Sequence, residues 1–256
     1  MILLALRTTG CVIVEEVFER KFMETVRSGL YRGLALVKQR VSEEVLRRAG
    51  ELGVVRAPML ADDVFFHLLE SPAILKIVDA VLSPTAVLHL QNGLILQPSV
   101  PSDGPSFQRN LHRDFNRVLN GYVCSLNVLI AVDEFAEENG ATMVVLGSHQ
   151  SSATRPDEGL NVAVPAECAA GSVVVFDSTL WHAAGANTTG HDRCAVNEQF
   201  TRSYFKQQID YVRCIGDASL LRQAERVRQL LGWHTRVPAS LEQFYSADRF
   251  YRSGQG

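Results

Sequence analysis

The sequence has no C-x-x-C pair, no internal repeat, no low-complexity segment and no Lys/Arg run longer than two residues. Its five cysteines, Cys11, Cys124, Cys168, Cys194 and Cys214, are odd in number and scattered. That excludes a disulfide framework or a zinc knuckle and predicts reduced, mostly buried thiols. Lys and Arg total 25 against 28 Asp and Glu, for a formal charge of -3, so the basic footprint that a nucleic acid demands is missing and the expected partner is a small molecule. Long apolar runs are missing too. The apolar residues 1–6 are cut off by Arg7, far short of a signal core or a membrane span, which predicts a cytoplasmic protein with no membrane partner.

What is present is an ordinary globular composition: 256 residues, 46% hydrophobic and 21% charged, enough chain to bury a core with a cavity in it. The hydrophobic period changes near residue 85. Before it, Val17, Phe18, Phe22, Val26 and Leu30 recur at helical steps, Ser42 opens a second amphipathic run, and Ser71-Pro72 signals another helix start. From 85 to 202, short apolar or alternating runs at 86–97, 121–132, 141–146, 172–177 and 194–201 are punctuated by Gly, Pro, Asn and Asp, the pattern of a sandwich or barrel of antiparallel strands. A last helix is expected from Asp217 to Leu231, stopped by Gly232. The β region alone would leave one sheet face bare, so the helical residues 1–84 are expected to cover it within a single domain spanning 1–256, with 203–256 as a helical extension. Two stretches rich in Gly, Pro and Ser, 98–110 and 148–159, interrupt the β region as candidate lids.

The chemistry-bearing residues begin with His112-Arg113-Asp114. On an extended segment, positions i and i+2 point to one side, so imidazole and carboxylate can converge on one ion. His182 ends the apolar run that starts at Gly171, and two His with one carboxylate form a facial triad suited to non-haem iron. A zinc hydrolase could use the same ligands, but H-E-x-x-H is absent. Eleven residues beyond His182, past a Gly- and Asn-rich turn, Arg193 heads an apolar strand, where a guanidinium can grip a carboxylate with two parallel hydrogen bonds.

Taken in order, His112-x-Asp114, Asn139-Gly140-Ala141, Gly147-Ser148-His149, and His182 with Gly185, Asn187 and Arg193 resemble the phytanoyl-CoA dioxygenase family of Fe(II)/2-oxoglutarate oxygenases across residues 85–202. Leu146 stands where the family commonly has proline. The resemblance implies a mainly β fold, a double-stranded β-helix or jelly roll of the cupin kind, with N-terminal helices packed on one sheet. It implies Fe(II) on His112, Asp114 and His182, and the distal carboxylate of the co-substrate 2-oxoglutarate on Arg193. Gln97 occupies about the place of a polar neighbour of 2-oxoglutarate, and Asn127 and Ser125, alternating toward one strand face, are further candidates for that pocket.

The implied reaction couples decarboxylation of 2-oxoglutarate by O2 to attack on an unactivated substrate C–H bond, ending in hydroxylation, cyclisation or desaturation. Retention of Asp114, which halogenating relatives replace, favours these outcomes over halogenation. Phe107, Arg109, Phe115, Asn116, Arg117 and His149 are the candidate substrate-lining residues. With no long basic surface for coenzyme A, the expected substrate is a small or mid-sized metabolite, such as a natural-product intermediate. Two other readings stand beside this one: a jelly-roll binding protein without catalysis, and a cupin-type metalloenzyme that uses no 2-oxoglutarate.

Overall fold

The computed structural model describes residues 1–99, 110–119, 121–151 and 162–245. Among the described residues, nine strands form two antiparallel sheets. The larger is ordered β1 (Cys11–Val14), β7 (Val173–Asp177), β4 (Ser125–Ala131), β9 (Arg193–Thr201), β3 (Val87–Leu96), β2 (Val54–Arg56). The smaller is ordered β6 (Val164–Pro165), β5 (Thr142–Val144), β8 (His182–Ala184).

The alternation read from the sequence assigns the two faces of the large sheet. Leu126, Val128, Ile130, Val173, Val175, Val196 and Phe200 point to one side, where they pack with Met23, Val26 and Leu30 of α2 (Arg20–Arg40), Phe65 and Leu68 of α4 (Val64–Leu68), and Ile74 and Val78 of α5 (Pro72–Val81). Leu129, Ala131, Val174, Phe176 and Ala195 point to the other side and meet Ala141 and Val144 of the small sheet. Helices therefore cover one face of the large sheet, as expected, and the small sheet covers part of the other.

Local signals placed several elements well. Ser42 caps α3 (Glu43–Ala49), its hydroxyl accepting from the Val45 amide, and Gly50 ends it in the left-handed region. Two expectations need correction. The first third is not purely helical, because β1 and β2 lie there, at the two edges of the large sheet. Strands of four and three residues carry little periodicity of their own; their pairing with β7 and β3 is set by partners far along the chain. The C-terminal helix is also not continuous. It breaks into α7 (Asp217–Leu220) and α8 (Glu225–Leu230), preceded by α6 (Tyr211–Ile215).

All five cysteines are free thiols, and four of them are buried, as the composition suggested. Among the described residues, no helix is long and apolar enough to cross a membrane.

Two carboxyl side chains of the large sheet sit on the helix-covered face, Asp177 at the end of β7 and Glu198 in the middle of β9. Glu198 is fully buried, with one oxygen accepting from Gln91 Nε2 at 2.8 Å and the other without a partner. Burial pushes its carboxyl up to about 8, against a weaker downward pull from Gln91. The native state therefore holds a proton that the unfolded chain, with an ordinary value of 4.5, releases. The stability tied to that proton is whole below 4.5 and is lost as pH rises toward about 8, at up to about 1.4 kcal/mol per pH unit. Urea unfolding followed over this range should show Glu198→Gln flattening the decline and exceeding the parent in stability at the alkaline end. An unchanged slope would show that Glu198 is ionised in the fold.

Candidate active site

The segment carrying His112 and Asp114 is fixed against β8 by an isolated antiparallel bridge. The His112 amide donates to the His182 carbonyl, and the His182 amide donates to the His112 carbonyl, both at 2.9 Å. Residues paired directly across an antiparallel bridge project their side chains to the same side. The two imidazoles accordingly lie with ring centroids 4.3 Å apart, and Phe176 packs on His182 at 4.8 Å. Asp114, two residues on, joins them: its carboxylate oxygens lie 3.5 Å from His112 Nε2 and 3.7 Å from His182 Nε2. Arg113 turns the other way, donating to the Ser148 and Ser151 carbonyls and stacking on Trp181.

Hydrogen bonding settles which ring nitrogens face Asp114. His112 Nδ1 lies 2.7 Å from the Asn110 carbonyl, and His182 Nδ1 lies 2.9 Å from the Leu180 carbonyl. A carbonyl only accepts, so each Nδ1 carries hydrogen and each neutral ring presents the Nε2 lone pair inward. When the His112 ring is protonated, its Nε2 carries hydrogen as well and donates to Asp114. Burial works to raise Asp114, but hydrogen bonding from His112, the charge of His182 and hydrogen bonding from Asn127 outweigh it and hold the carboxylate low. Burial lowers both imidazoles; in His112 the Asp114 hydrogen bond reverses the direction, whereas in buried His182 burial prevails. The ligand atoms of the three side chains all lie within 4.8 Å of one another, the one such His/Cys/Asp/Glu group among the described residues. Two imidazoles and a carboxylate on one side of a point are the donor set of a 2-His-1-carboxylate centre with open positions.

The triad lines a cavity of about 520 Å³ between the sheets, and Arg193 lines it too. Arg193 is buried, donates one bond to the Gly140 carbonyl at 2.7 Å, and stacks its guanidinium on Phe135 at 4.5 Å. Its Nε is buried without a partner, and no carboxylate among the described residues pairs with it. Burial lowers the guanidinium to about 10, although Cys194, Asp133 and Cys168 pull upward. Gly140 is required beside it. Its φ is +83°, and a Cβ there would stand 2.6 Å from Leu96 Cδ2 and 2.8 Å from the Gly185 carbonyl oxygen.

Behind the triad lies a buried polar network on the same sheet face. Asn127 Nδ2 donates to Ser178 Oγ, which donates to Ser125 Oγ, and Gln199 Nε2 donates to Ser125 Oγ. Asn127 and Ser125 therefore sit where alternation placed them, but they support the Asp114 side of the site. Gln97 needs correction: it is exposed, one residue beyond the end of β3 and out of step with Asn92, Leu94 and Leu96, which line the cavity. Residues of odd and even number face opposite sides of a strand, so the expectation missed by one position.

Of the substrate candidates, Phe107 and Arg109 lie outside the described residues. Phe115 packs edge-on against Phe205, Asn116 and Arg117 are exposed, and none of the three lines the cavity. His149 also lies away from it, lining a second cavity of about 590 Å³ with Arg7 and Tyr122 and meeting the Arg7 carbonyl at 3.2 Å. The sequence reading missed His89, Arg56, Asn92, Asn197 and Gln199, all of which line the first cavity. Asn197 and Gln199 carried the signal already used for Ser125 and Asn127, a polar residue at every second place in an apolar strand.

The model of the phytanoyl-CoA dioxygenase (PhyH) family matches residues 6–195. The chain belongs to this family. The PhyH match also spans α2, α4 and α5, so the helical cover is part of the family's domain and not an appendage to it. An uncharacterized protein of Mycobacterium tuberculosis is 51% identical over 98% of this chain and 94% of its own length. A dioxygenase of Talaromyces verruculosus is 42% identical over 48% of this chain and 40% of its own, and a dioxygenase of Arthroderma benhamiae is 30% identical over 61% and 49%.

Removing the amide that steadies Asp114 should weaken the donor set without touching a donor. Asn127→Ala is expected to lower Fe(II) affinity about 10- to 100-fold in anaerobic calorimetry while far-UV circular dichroism stays unchanged. Undiminished affinity would show that Asn127 only fills space.

Proposed function

We propose that this PhyH-family protein is an Fe(II)- and 2-oxoglutarate-dependent dioxygenase that oxidises an unactivated C–H bond of a small or mid-sized metabolite. The observation that carries this reading is Arg193: a buried guanidinium without a carboxylate partner among the described residues, lining the same cavity as the His112, Asp114 and His182 donor set. A buried charge is costly unless an opposite charge meets it, so the cavity is built for an anion on the Arg193 side and a cation on the triad side. A dicarboxylate 2-oxo acid meets both demands. Bound together, Fe(II) and 2-oxoglutarate supply O2 activation and the decarboxylation that drives C–H oxidation.

The protein's own part is positional. His112 and His182 would hold Fe(II) through Nε2, with each ring kept in the required tautomer by a backbone carbonyl, and Asp114 would complete the set as the anionic ligand. Arg193 would take the distal carboxylate of 2-oxoglutarate with its free guanidinium edge, its plane fixed by Phe135 and the Gly140 carbonyl. Leu94, Leu96, Ala183 and Ala184 would keep water from that end. The two facing sheets are read as the double-stranded β-helix of the family. One apolar cluster joining helices of the first third to the sheet and to α8 supports a single domain.

A cavity of about 520 Å³ shared with a co-substrate suits a metabolite of modest size. Natural-product intermediates fall in this range, and the free thiols accord with a cytoplasmic setting.

Anaerobic addition of Fe(II) and then 2-oxoglutarate is expected to produce the weak visible charge-transfer band of the chelate, and His182→Ala should abolish it. Arg193→Ala should weaken 2-oxoglutarate binding at least about thirtyfold, the scale of truncating one side of a buried charge pair, while sparing Fe(II). No band in wild-type protein that binds iron would refute the co-substrate, and equal loss of iron in Arg193→Ala would make that residue structural.

A further inference from the structure

The mouth of the cavity differs from its Arg193 end. It is walled by Glu51, Arg56, His89, Asn92, Asn197 and Gln208. His89 is there because of a β-bulge. Between Leu88, paired with Phe200, and Leu90, paired with Gln199, it is the one residue of β3 left without a register partner on β9. Bulges of this kind re-aim a side chain, often beside an active site, and here His89 joins Leu90 on the cavity wall. Among the described residues its buried Nδ1 has no partner, and neither has Asn197 Oδ1, whose amide nitrogen donates to Asn127.

The cations near the mouth are already committed. Arg56 gives Nε and Nη2 to Glu51 and Nη1 to Gln208, and the Asn92 amide, oriented so that both of its ends are paired, accepts from Nη1 as well. Arg113 spends its guanidinium on the Ser148 and Ser151 carbonyls. Asn197 Oδ1 can only accept, so it calls for a donor, which a carboxylate or phosphate does not have. Buried unpaired groups of this kind reject a ligand that cannot satisfy them.

We propose that His89 and Asn197 form a subsite for a neutral hydroxyl or amide group of the substrate, and that the protein acts on an uncharged polar metabolite and not on a carboxylate, a phosphate or a coenzyme A thioester. The proposal rests on the oxygenase reading only for what happens to the bound molecule.

The test titrates the full-length protein by calorimetry, metal-free and again as the anaerobic Fe(II)/2-oxoglutarate form, with four probes at millimolar concentration: methyl glucoside, N-acetylglycinamide, octanoate and acetyl-CoA. At least one neutral probe should bind both forms and perturb the visible band. His89→Phe, which keeps the ring but removes both nitrogens, should weaken that binding about tenfold, and His89→Gln should restore part of it. An unchanged band and circular dichroism in His89→Phe would show that the site is still formed. Binding of octanoate or acetyl-CoA alone, binding of no neutral probe, or equal affinity in wild type and His89→Phe would each overturn the subsite. Absence of the band with His89-dependent binding intact would refute the oxygenase reading and leave the subsite standing.

Discussion

The site depends on one pair of backbone hydrogen bonds, the mutual 2.9 Å bridge between His112 and His182. It joins segments distant in sequence, one of them a bare extended strip and the other a three-residue strand at the edge of the small sheet. Because the pairing is antiparallel and direct, it fixes side-chain direction as well as position. The alternation of the strip then sends Asp114 to the same side as His112 and sends Arg113 to the opposite one, where it anchors the strip to the 148–151 turn and Trp181. A slip of one residue in this bridge would turn His112 and Asp114 together away from His182.

The large sheet divides its labour between faces. The face toward the helices is apolar apart from Gln91, Glu198 and, at the end of β7, Asp177, with the Gln91 backbone N–H donating to the Tyr211 hydroxyl. The face toward the small sheet carries Ser125, Asn127, Asn197, Gln199 and Arg193, groups that cost stability unless they are paired. Such cost is tolerated where it serves a ligand. Most of these groups bond to one another. Arg193, Asn197 and His89, each with a buried atom that finds no partner among the described residues, all line one cavity.

Much of this was legible in the sequence, for definable reasons. His112, Asp114, His182 and Arg193 sit on or beside strands whose alternation fixes direction locally, so their order and its resemblance to the family pattern picked out four residues that line one cavity. Ser42, by capping, and Pro72, by its fixed φ in the first turn, marked helix starts because both act locally. What failed was non-local. β1 and β2 exist only through pairing with β7 and β3, Gln97 lay one step out of phase past a strand end that no local signal marks, and His149 was drawn toward Arg7 by packing between distant segments. His89 escaped notice because a bulge breaks the very periodicity by which strand faces are read.

His112, Asp114 and His182 are expected to make one iron centre together. X-ray absorption on Fe(II)-loaded, anaerobic protein tests it most directly, since scattering from imidazole rings counts histidine ligands. The account predicts two imidazoles on one iron per chain in the wild type, one in His112→Ala and one in His182→Ala. Iron bound with a single imidazole in the wild type, or with two in either variant, would contradict it.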